Sequence, residues 1–177
     1  DLSEKSLRII PDSPGMDKFR PDAQTALMEN FYARKEYQTV VDLFRKSPLK
    51  SEGEKEALRL MIAARAMMKL KRPADASELF REVERIVKPG NDLAFQASYY
   101  RLNCFFQIEG RHVVDQVDAF LQIYEKFHPN DTRIHTAMLM KAETQFSESS
   151  AAEAAKTYSR IDPTLLSDTN RPGFLYQ

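Results

Sequence analysis

Proline interrupts this chain at a nearly regular interval. From Pro21 onward apolar residues recur with a period close to 3.6, and the pattern breaks at Ser47–Pro48, Pro89–Gly90, His128–Pro129–Asn130–Asp131 and Asp162–Pro163. Proline cannot continue a helix, because it lacks the N–H and its ring meets the preceding turn. The breaks fall about 35 to 40 residues apart, room for two short helices and a turn. The spacing therefore predicts helix pairs at 22–34 with 36–46, 53–70 with 73–87, 92–108 with 113–127, and 132–146 with 150–161. Glycine is scarce, with 5 residues, and Ala, Leu, Met, Lys, Glu, Arg and Gln abound, which favours helix throughout.

The pairs share a register. Met28, Val40 and Phe44 stand 12 and then 4 residues apart; Ala64, Ala76 and Phe80 keep these spacings, and so do Ala142, Ala154 and Tyr158. The first two positions suit a close crossing of paired helices, where only slim side chains fit. The third is an aromatic ring one turn later. In the third pair the register moves to Val117, Leu121 and Tyr124, with about two extra residues expected in the turn Glu109–Gly110–Arg111–His112.

A small residue in each helix, an aromatic one turn on and a closing proline resemble the tetratricopeptide repeat family. The segments FYARKEYQTVVDLFRKSP (31–48) and KRPADASELFREVERI (71–86) carry the resemblance best. Met28 is larger than the Gly or Ala that family prefers, and Pro163 falls early. The resemblance covers about residues 21–163. It implies an all-α fold, a right-handed superhelical α-solenoid of about four antiparallel helix pairs, and a role in protein–protein interaction. Residues 1–20, with Pro11, Pro14 and Gly15, are expected to form an extended lead-in. Residues 164–177 are expected to form a loop and the start of a further helix, at Pro172–Gly173–Phe174–Leu175–Tyr176. No polar cap closes that end, so further chain is expected beyond it. Asp1 in place of Met implies a removed signal peptide or a piece of a longer protein.

Charge narrows the partner. Lys plus Arg is 26 and Asp plus Glu is 26, so a net basic face for nucleic acid is not expected. No run of 18 apolar residues is present to cross a membrane. Cys104 stands alone, so no internal disulfide can form. Cysteine usage favours the cytoplasm and leaves the bacterial periplasm open.

A search for chemistry finds no catalytic residues. His112, His128 and His135 lie at turns or helix ends without a ligand spacing, and are read as solvent-facing or capping. Cys104 sits among Leu102, Phe105 and Phe106 with no base or orienting partner, and is read as core or groove lining. No glycine-rich phosphate loop or nucleophile elbow occurs. Neither cofactor nor metal is expected.

The tetratricopeptide resemblance implies that the first helix of each pair lines a concave groove. In this register the groove is expected to carry Tyr32, Met61, Arg65, Met68, Tyr100, Gln107, Leu139 and Phe146, with Ala97 and Cys104 beside them. Apolar anchors mixed with a few charges suit a docked protein segment. The family's clamp for a C-terminal carboxylate needs Lys, Arg and Asn where this chain has Glu29 and Ile62, so that mode is not expected. A non-catalytic scaffold or adaptor in a multiprotein complex is the leading reading, with a protein or peptide partner or further repeats of the same chain as the expected occupant. Three others stay open. One is a bacterial envelope assembly factor, which Phe127–His128–Pro129–Asn130 resembles. Another is the regulatory part of an enzyme whose catalytic domain lies elsewhere. The third is a ligand-sensing repeat domain.

Overall fold

The structure, a computed structural model, describes residues 20–46, 52–108 and 113–167. Among these residues it is all-α: eight α-helices and one 3-10 turn, with no strand. The helices are α1 (Arg20–Ala33), α2 (Tyr37–Lys46), α3 (Gly53–Lys69), α4 (Pro73–Ile86), α5 (Asp92–Ile108), α6 (Val114–Tyr124), α7 (Thr132–Ser147) and α8 (Ala151–Tyr158). The expected lead-in, the turn at 109–112 and the helix start at Pro172 lie outside the described residues. No helix among the described residues is long and apolar enough to cross a membrane.

Helix ends depart from the sequence expectation for local reasons. Helix α1 begins at Arg20, ahead of Asp22, because Pro21 tolerates a first-turn position whose N–H would have no partner. Helix α6 stops at Tyr124 instead of Phe127, where the N–H groups of Phe127 and His128 both fold back to the Tyr124 carbonyl, at 3.1 and 3.0 Å. Helix α8 stops at Tyr158 instead of Ile161. Asp162 then caps a 3-10 turn, Pro163–Leu165, by accepting from the Thr164 N–H at 2.8 Å. That turn occupies the start of the expected loop.

The chain divides into two compact units, Asp1–Tyr100 and Arg101–Gln177, with the boundary inside α5. In the first unit, α1 packs on α2 and α3, α2 on α3, and α3 on α4. Met28, Val40, Ala64, Ala76 and Phe80 are all at 0% exposure, while Phe44 is half-buried. Burying a Val or Phe side chain of this kind stabilises by about 1.5–3 kcal/mol. Helix α3 also buries a charge pair. Arg59 Nε and Nη2 donate to the two carboxylate oxygens of Glu56 at 2.9 and 2.7 Å, and the guanidinium lies 4.5 Å from the centroid of the Phe44 ring. The Arg59 Nη1 atom is buried with no hydrogen-bond partner.

In the second unit, α6 packs on α7 and α7 on α8. Val117, Leu121 and Tyr124 are buried, as are Ala142 and Ala154, and Tyr158 is half-buried. Asp131 caps α7 by accepting from the Arg133 N–H at 2.8 Å, and the Arg133 guanidinium holds its carboxyl below the usual carboxylate range. His135 is buried, unlike the solvent-facing or capping histidine expected. Its Nδ1 accepts from the Asp162 N–H at 3.2 Å and its Nε2 stands 3.1 Å from the Pro129 carbonyl. One ring thus ties the start of α7 to the segment after α8.

A further element repeats across the pairs. Lys35, Lys71 and Ser149 have positive φ angles of 63°, 57° and 64°. Each lies in the turn within a pair, 7 residues after Met28, Ala64 or Ala142. In each turn the left-handed residue donates back three residues, and the next donates back five. Thus Lys71 N–H reaches the Met68 carbonyl and Arg72 N–H the Met67 carbonyl, both at 3.0 Å. Phe31 and Tyr32 accept in the first turn, and Gln145 and Phe146 in the α7–α8 turn. This double bond is the Schellman arrangement that satisfies the last carbonyls of a helix.

Candidate binding hollow on the first helices

The first unit holds an open hollow of about 290 Å³ lined by Glu29, Tyr32, Ala33, Leu58, Met61, Ile62, Arg65, Leu93 and Gln96. Its walls come from α1, α3 and the first half of α5, the leading helix of three successive pairs. On α3, Leu58, Met61, Ile62 and Arg65 recur at three- and four-residue steps, which puts them on one face. Met61 and Ile62 are buried and form its inner wall, and exposed Glu29, Ala33 and Leu58 stand at its rim.

Arg65 is the polar centre. Its guanidinium carbon lies 4.9 Å from the Tyr32 ring centroid and 5.6 Å from that of Tyr100, within reach of cation–π attraction. Both rings are themselves held. Tyr32 meets Tyr37 edge-on at 5.3 Å, and Tyr100 stacks on fully buried Phe80 at 5.5 Å and 21°. Arg65 lines the hollow and, among the described residues, makes no hydrogen bond or ion pair, so its N–H donors are unused.

The sequence-expected groove residues separate into three groups. Tyr32, Met61 and Arg65 line this hollow, and Tyr100 reaches it through Arg65. Met68 is half-buried on the same helix and does not line it. Gln107, Leu139 and Phe146 belong to the second unit. There Gln107 is exposed and Phe146 is 64% exposed, while Leu139, at 6%, is a core residue and not an open one. Ala97 and Cys104 are core as well, at 0%. On α5 the hollow takes Leu93 and Gln96 in place of the expected Ala97, while Tyr100 keeps its expected place beside it. One residue turns a helix by about 100°, enough to exchange interior for surface. The polar Gln96 between apolar neighbours was the available signal.

Burial pushes the Cys104 thiol up to about 12, against a smaller opposing pull from Arg101. The thiol stays protonated at neutral pH, which removes the nucleophilic thiolate. No group of three His, Cys, Asp or Glu side chains among the described residues is placed to hold a metal ion.

No protein-family model, curated protein or solved structure matches the chain.

Proposed function

We propose that the chain is a non-catalytic protein-interaction module, built as a right-handed solenoid of about four tetratricopeptide-like helix pairs. In this reading it binds a partner segment on its leading helices. The observation that carries this reading is the hollow to which α1, α3 and α5 all contribute side chains. A stack of helix pairs whose leading helices share one inner face would place residues in this way. The crossing register supports the same reading, since its small positions are buried in both units. The hollow joins apolar walls to one guanidinium within cation–π reach of two rings, a combination suited to an interface anchor.

The test is a titration of a captured partner against matched variants of the intact chain. Tyr32→Ala and Arg65→Ala should weaken binding by about 1–2 kcal/mol each, with melting temperatures nearly unchanged. Glu78→Lys and Arg81→Glu, on the exposed face of α4, should bind normally. The opposite pattern, normal binding by the hollow variants and loss in the α4 variants, would move the working surface to the second helices.

A further inference from the structure

A guanidinium held by cation–π contacts alone has given none of its N–H groups to an oxygen acceptor. Arg65 is in that condition: rings on α1 and α5 hold it, and its donors have no partner among the described residues. Several exposed cations on the described helices do have an acid partner. Lys55 meets Asp22, Arg81 meets Glu78, Arg85 meets Glu82, and Lys156 meets Glu153. Arg65 differs although an acid is near, because Glu29 lines the same hollow without forming an ion pair to it. A planar fork of donors fits an oxyanion, carboxylate or phosphate, and the apolar walls with Glu29 beside them favour the singly charged carboxylate, adjoining an aliphatic side chain.

Resting on the interaction-module reading above, we propose that Arg65 binds the side-chain carboxylate of an Asp or Glu within an internal segment of a partner protein. A neighbouring aliphatic side chain of that segment fills the hollow against Met61, Ile62 and Leu93. The Tyr32 and Tyr100 rings restrain the Arg65 side chain from two helices, so less side-chain entropy is lost when the carboxylate arrives. Glu29 at the rim disfavours a second acid there, so the segment is apolar with a single carboxylate, not an acidic run.

Three end-blocked probes separate the possibilities, titrated into the ¹⁵N-labelled intact chain and followed by amide chemical shifts. The first is an N-acetylated, C-amidated peptide with one Glu flanked by leucines. The second replaces that Glu by Gln, and the third carries the Gln with a free C-terminal carboxylate. The Glu peptide should shift amides around Tyr32, Met61 and Arg65 and bind about 5-fold or more tighter than the Gln peptide, a margin that shrinks with salt. Arg65→Gln should erase the margin, Arg65→Lys should keep part of it, and Glu29→Gln should leave it or widen it. If both blocked peptides shift the hollow equally, the carboxylate inference falls while the groove reading stands. If the third peptide matches the first, a chain terminus serves as well as a side-chain carboxylate and the assignment to an internal segment is overturned. Shifts confined to other surfaces overturn both readings.

Discussion

The two units use one crossing register and dispose of their polar side chains differently. In the second unit, polar groups on α7 are tied within the unit. Lys141 pairs with Asp118 of α6, the Thr157 hydroxyl donates to Gln145 at 2.7 Å, and His135 bridges to Asp162. In the first unit, α3 buries one cation against Glu56 and sets another, Arg65, beside two rings in an open hollow, with its donors unused among the described residues. The difference teaches where recognition can reside. A cation matched inside the fold has given its donors to the fold, whereas one held by rings alone has hydrogen-bonding capacity left for a ligand.

The largest expected effect tests whether the shared register has equal weight in both units. Phe80 is fully buried and supports Tyr100, whereas Tyr158 at the matching position is half-buried. Phe80→Ala should cost about 3–5 kcal/mol, and Tyr158→Ala clearly less, in chemical denaturation of the intact chain. Equal losses would mean that the two crossings are energetically alike and that Tyr158 is better packed than its exposure implies. Ala64→Leu and Ala76→Phe overfill the same crossing and should cost about 1–3 kcal/mol each.

Next is the buried pair on α3. Glu56→Ala leaves Arg59 buried at 4% exposure with Nη1 and two further donors unsatisfied. The loss should be about 3 kcal/mol or more, and replacing both partners together, Glu56→Leu with Arg59→Met, should recover most of it. The contrasting pair in the second unit is more open at Asp118, 51% exposed, so Asp118→Ala should change stability by under about 1 kcal/mol. A large Asp118 effect would abolish the distinction between buried and rim charge that separates the units.

His135→Ala comes third. It removes the acceptor for the Asp162 N–H and the ring contact to the Pro129 carbonyl, and should cost about 1–3 kcal/mol. Hydrogen exchange should show the loss at Asp162 and the 3-10 turn after it before the α7 core. A uniform loss across the second unit would show that the ring is a packing element rather than a strut.

What could be read in advance follows from sequence distance. Met28, Val40 and their counterparts were legible because crossing positions recur at fixed short spacings within a pair. The helix-facing residues of α3 were legible for the same reason, and so Tyr32, Met61 and Arg65 reached the hollow. The fate of polar groups was not legible. His135 and Asp162 are 27 residues apart, and nothing local marks the histidine as buried. On α5, one residue of rotation separated Ala97, which is core, from Gln96, which lines the hollow. An alanine carries no signal of which side it faces, since it suits a crossing and a surface equally.

The smallest expected effect has the opposite sign. Lys71 and Ser149 occupy matching turns, one in each unit, with φ at 57° and 64°. In that left-handed region a Cβ lies close to its own backbone carbonyl, at a cost of about 1 kcal/mol relative to glycine. Glycine is the usual residue there, and its absence is why these turns carry no sequence signal. Lys71→Gly and Ser149→Gly should therefore each stabilise the fold, by about 0.5–1 kcal/mol after the added freedom of the unfolded chain is subtracted. Neither side chain makes a hydrogen bond or ion pair among the described residues, and both Lys71 and Ser149 are exposed, so little packing is lost. Equal gains would show that the turns are equivalent despite the different polar ties around them. A gain at Lys71 alone would mean that the second unit depends on the Ser149 side chain. A loss at both would show that these turns relax their φ angles in solution, and that the repeated Schellman geometry is not what joins the paired helices.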